Sequence, residues 1–164
     1  MKGVMRFFPV AIMVSLIFVA SVIVPSEATA ETKTIWPSSF YAKNSNADYG
    51  QYPSSLTGST SSQSYYWTTV QIPVGSRITK IIYYHRGESG GGSTTTEVTL
   101  RRVKMGFDEE DLVFLTSSDA SGIIVPVESS SIASPVVAAG YLYWIKVTCY
   151  SDYAEMCGVK VLYK

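Results

Sequence analysis

Helix signals are scarce in this chain. Beyond Glu31 no stretch repeats its apolar residues with a helical period, which excludes a helical bundle or a coiled coil. There is a single histidine, His85, beside Arg86 at the end of an apolar run. Nucleophilic catalysis needs a base poised beside a serine or cysteine. One imidazole at a strand end reads as a structural or surface group, and no Gly-x-Ser-x-Gly elbow accompanies the many serines. No catalytic residue is assigned. Cysteine is also sparse, with only Cys149 and Cys157. Together with His85 they are too few for a metal centre, and no cofactor is implied.

What is present begins with a leader. Lys2 and Arg6 precede an uncharged run of 18 residues from Phe7 to Val24, closed by Pro25 and followed by Ala28-Thr29-Ala30. A charged start, an apolar stretch and small residues at the cleavage positions spell a secretory signal peptide, cleaved after Ala30. The competing reading is an uncleaved anchor, since about 20 apolar residues span a bilayer. Pro25, the Ala-x-Ala spacing and an acidic Glu27 where a basic flank is usual favour cleavage. The expected mature chain therefore starts at Glu31, is secreted and does not insert in a membrane.

Residues 31–164 of the 164 form one domain's length, enough for a hydrophobic core. Lys2, Arg6 and Glu27 leave with the signal, so 11 basic and 12 acidic residues remain. Near-neutral charge argues against nucleic acid or an anionic membrane surface, which require a basic field. All 12 Tyr and all three Trp lie beyond Glu31. Aromatic and β-branched residues suit pleated, half-buried surfaces.

The pattern predicts about eight strands: Ile35–Tyr41 (bent by Pro37), Tyr65–Ile72, Ile78–His85, Thr96–Arg101, Leu112–Thr116, Ile123–Val127, Tyr141–Cys149 and Cys157–Tyr163. The Ser- and Asn-rich segment 42–64 reads as a long loop, partly paired at most. Ile78–His85 carries apolar residues on both parities, so it is central and covered on both faces, or bulged. The glycines of Gly87–Ser93 precede a strand, not a helix, and so read as a hairpin loop and not a phosphate cradle. Short strands with close turns indicate an all-β antiparallel sandwich, jelly-roll-like, over 31–164.

Cys149 and Cys157 are expected to form a disulfide across a hairpin, the alternative being two buried free thiols. Asp108, Glu109, Glu110 and Asp111 could hold Ca²⁺ or act as paired carboxylates; the ordinary reading is a solvated loop that interrupts an apolar edge. Asn44–Asp48 is a second oxygen-rich loop of the same kind. Parity sets Tyr65 and Trp67 opposite Val70 and Ile72, and Trp144 opposite Tyr143 and Ile145, so these three rings are expected outside. A flat exposed ring matches the apolar face of a pyranose. The competing reading covers them with a loop, a second layer or a partner.

Ile35 to Phe40, Ile72-Pro73-Val74-Gly75-Ser76-Arg77-Ile78-Thr79, Tyr83-Tyr84, Leu100-Arg101-Arg102, Tyr141-Leu142-Tyr143 and Gly158-Val159-Lys160-Val161-Leu162-Tyr163 follow one another in order. In that order they resemble an uncharacterised domain of bacterial exported proteins, over nearly all of the mature chain. His85-Arg86 replaces that family's acidic residue after the paired tyrosines, and Cys149 with Cys157 is additional. The resemblance implies a β-sandwich and no activity. The expectation is a secreted, non-catalytic sandwich with a structural or adhesive role at the cell exterior and a polysaccharide or protein partner. The alternative is a carbohydrate-binding module using Tyr65, Trp67 and Trp144. No feature specifies an oligomeric state.

Overall fold

A computed structural model describes residues 29–43, 50–59, 63–88, 93–104, 106 and 109–164. The predicted signal peptide falls almost entirely on residues 1–28, outside the described residues, as do Asn44–Asp48 and Asp108.

Two antiparallel sheets face each other. The first runs β3 (Gly50–Gln51), β4 (Leu56–Thr57), β11 (Ala154–Tyr163), β6 (Ile78–Gly87), β9 (Val125–Ser129), with β1 (Glu31–Ile35) also on β11. The second runs β2 (Tyr41–Ala42), β5 (Ser64–Thr69), β10 (Tyr141–Cys149), β7 (Thr96–Lys104), β8 (Glu109–Ser117). The eight strands from β4 onward interleave between the sheets as β4-β11-β6-β9 and β5-β10-β7-β8, which is the jelly-roll arrangement of two Greek keys. β1, β2 and β3 are short additions at its edges; among the described residues eleven strands stand where about eight were expected, because Ile35–Tyr41 gives way to β1 and β2 and the loop expected over 42–64 holds β3 and β4. Among the described residues no helix is long and apolar enough to cross a membrane.

The core is the contact between the inner faces. Leu56, Ile81, Tyr83, Met156, Val159 and Val161 from the first sheet meet Tyr66, Val98, Leu100, Ile145 and Val147 from the second, all fully buried. Their period-two spacing is what commits each strand to one face. In β6 the alternation is single-sided from Ile81 onward, and the break that puts Ile78 inside as well is a bulge opposite Leu162 and Tyr163. His85 is wholly enclosed. Its Nε2 lies 2.8 Å from the Asp119 carbonyl and its Nδ1 2.8 Å from the Thr96 hydroxyl. A carbonyl only accepts, so Nε2 carries a proton.

Several sequence expectations are corrected. Ile35–Tyr41 is not one strand: β1 ends at Ile35, Pro37–Ser39 is a 3-10 turn, and β2 is a separate pair of residues. Gly87–Ser93 does not close a hairpin, because β6 and β7 belong to different sheets; residues 89–92 lie outside the described residues. Gly87 is needed there for space, since a Cβ would come within 2.1 Å of the Asp119 carbonyl oxygen.

The expected disulfide is absent. Cys149 ends β10 in one sheet and Cys157 lies in β11 of the other, and both are free thiols. A bulge between Met156 and Gly158, where Gly158 takes φ of 149°, also breaks the parity of β11. Met156 points into the core and Cys157 does not. Burial raises the Cys149 thiol pKa far above its ordinary value and pushes Cys157 up to about 11, and burial likewise raises Tyr83 to about 12. All three hold their protons more tightly folded than unfolded. The stability they contribute is therefore present below about pH 9 and lost as the pH climbs through the folded values. Denatured protein, alkylated without reductant, should take two labels per chain. Native protein at pH 8 should label slowly at Cys157 and not at Cys149. One label or none after denaturation would contradict the free-thiol structure.

Candidate functional site

The outer face of the second sheet concentrates exposed rings. The register puts Tyr41 of β2 opposite Trp67 of β5, Trp67 opposite Lys146 of β10, Lys146 opposite Thr99 of β7, and Thr99 opposite Phe114 of β8. The next row across is Thr69, Trp144, Arg101 and Asp111. Residues directly opposite on antiparallel strands share a face. The two rows are thus neighbours on one surface, and a third, from Tyr65 to Thr148 to Glu97, lies on the other side of the first. The alternate residues Tyr66, Thr68, Ile145 and Val147 are buried beneath.

Trp67 is 50% exposed and Tyr41 73% exposed, while Tyr65 and Trp144 are half-buried. The Trp67 and Trp144 ring centres stand 6.1 Å apart with planes at 77°. This edge-to-face pair is a favourable aromatic geometry. It makes a corner instead of a flat two-ring platform: one indole offers a face and the other a wall. The Arg101 guanidinium lies over Trp144, 5.2 Å from the ring centre, and is held by Glu109 at 2.5 Å and by Asp111. Lys146 and Lys43 place their ammonium groups 5.1 Å and 6.0 Å from the centre of the Tyr65 ring. Between these groups runs a groove of about 290 Å³, lined among others by Lys43, Tyr65, Trp67, Arg101, Leu142, Trp144 and Lys146. That is at the lower edge of ligand-site volumes, about 300–1,000 Å³.

Tyr65, Trp67 and Trp144, singled out from parity, are thus together on one outward surface. The structure adds Tyr41, Lys43, Arg101 and Lys146, which sequence reading did not join to them. Lys146 had its parity with Trp144 as a signal. Tyr41 had none, because the strand holding it is two residues long. Its position is set by the buried Phe40 before it, whose carbonyl accepts a 2.7 Å hydrogen bond from Gln51.

The acidic run behaves differently from its expected loop. Glu109, Glu110 and Asp111 are part of the edge strand β8. Glu109 and Asp111 face Arg101, whereas Glu110 turns to Arg102, 2.7 Å away. Alternation splits the carboxylates between two faces, and among the described residues no group of three or more His, Cys, Asp or Glu comes together to hold a metal. Charges on an edge strand do protect it from pairing with another chain.

The face as a whole suits a ligand with one flat apolar side and a polar rim. An indole covers C–H groups, and Arg101, Glu109, Thr69 and Lys146 stand within the same groove to bond hydroxyls. No protein-family model and no curated protein matches this chain. Among solved structures the carbohydrate-binding module TmCBM61, in complex with β-1,4-galactotriose, is similar over 81% of this chain and 83% of its own, with a TM-score of 0.37 and 13% sequence identity.

Proposed function

We propose that the chain is an exported, non-catalytic adhesive module that binds polysaccharide on the outer face of its five-stranded sheet. The observation that supports this most is the corner of Trp67 and Trp144 beside Tyr65, open to solvent and rimmed by charged side chains over a groove. Isolated exposed apolar residues need no explanation, but contiguous rings with convergent polar groups mark binding surfaces. A non-catalytic role is supported by the state of the groups that could act as bases. His85 is enclosed with both ring nitrogens paired, and Glu109, Glu110 and Asp111 are engaged by arginines. Export rests on the leader sequence.

A glycan array probed with residues 31–164 tests the reading. Binding to at least one polysaccharide class is expected, and binding should weaken by at least about tenfold in the Trp67→Ala variant. An array without any bound glycan would remove the proposal.

A further inference from the structure

The groove is charged in one sense where its rings are most exposed. Lys146 sits directly opposite Trp67, and its ammonium shares the Tyr65 ring with that of Lys43. Among the described residues neither lysine is paired with a carboxylate. The acids that face them have other partners. Glu109 and Asp111 are held by Arg101, and Glu97 accepts a 2.9 Å hydrogen bond from the Tyr150 hydroxyl. Each ammonium group has the quadrupole of the Tyr65 ring beside it and no carboxylate among the described residues. An arriving anion would form charge-assisted hydrogen bonds with them.

Resting on the polysaccharide reading above, we infer that the groove takes an acidic polysaccharide built from uronic acids. A carboxylate at C5 projects roughly along the plane of the pyranose. A uronate stacked on Trp67 therefore extends its carboxylate along the sheet surface, where Lys146 of β10 and Lys43, just after β2, flank β5 on its two sides. A neutral hexose offers the same stacking face and nothing for these two cations.

The test uses residues 31–164 with sodium polygalacturonate and alginate, each against its neutral ester, and dextran sulfate against dextran. At least about tenfold tighter binding of one uronate polymer over its ester is expected, weakening as NaCl is raised. The double variant Lys43→Gln, Lys146→Gln should lose about tenfold in affinity with an unchanged unfolding temperature. Equal affinity for acid and ester, with both lost in Trp67→Ala, would overturn the uronate assignment and leave the stacking face standing. Equal binding of dextran sulfate would make the groove a general polyanion site and likewise overturn it, as would binding of neither uronate polymer. Uronate binding untouched by Trp67→Ala would remove the stacking face itself.

Discussion

Replacing Tyr66 by alanine should destabilise the protein by about 3–5 kcal/mol, the usual cost of deleting a large aromatic ring from a core. Tyr66 is fully buried on the inner face of β5. Its hydroxyl donates to the Thr57 carbonyl at 2.5 Å and so ties the second sheet to β4 in the first. The substitution opens a cavity between the sheets and leaves that carbonyl without this donor, and each effect is destabilising. For a domain of this size the unfolding temperature should fall by about 10 °C, at about 2–4 °C per kcal/mol. Tyr66→Phe separates the two effects. It keeps the ring and should cost only about 1–2 kcal/mol. Thermal unfolding of both variants is the check, and an alanine variant as stable as the parent would contradict the inward placement of Tyr66.

One residue further along β5 the expected outcome reverses. Trp67→Ala should cost about 1 kcal/mol of stability or less, because the ring is half exposed and its main aromatic partner is the edge-to-face contact with Trp144. It should instead weaken polysaccharide binding by about tenfold to a hundredfold, taking about 1–3 kcal/mol for a lost stacking contact by analogy with base stacking on aromatic side chains. Isothermal titration with the tightest-binding polysaccharide of the array reads the affinity, and calorimetric unfolding reads the stability. A variant that unfolds readily, or one that binds as the parent does, would place Trp67 in the core or outside the site.

The contrast between these two neighbours was legible in the sequence. Alternation from Tyr65 to Ile72 is unbroken, so Tyr66, Thr68, Val70 and Ile72 declare the inner face and Trp67 falls outside. The same reasoning failed in β11, where a single bulge before Gly158 shifts the parity and carries Cys157 out of line with Val159. Pairing across sheets was not legible either. Cys149 and Cys157 are close in sequence, yet the connection between β10 and β11 crosses from one sheet to the other. In the run from Glu109 to Asp111, charge concealed an edge strand whose carboxylates are compensated by Arg101 and Arg102 on β7. β2, β3 and β4 are too short to leave any periodicity. The rings of the site could be named because each obeys local parity. Lys43, Arg101 and Lys146 join them through register between strands distant in sequence, which no local pattern encodes.

The most direct measurement is a titration of nitrogen-labelled tryptophan followed by the three indole N–H resonances, using the tightest-binding polysaccharide of the array. Trp67 and Trp144 share the groove, while Trp36, 61% exposed, follows β1 at the edge of the other sheet and serves as an internal control. Polysaccharide bound to the outer face of the second sheet should shift the Trp67 and Trp144 resonances together and leave Trp36 in place. Saturable binding that moves Trp36 alone, or none of the three, would contradict it.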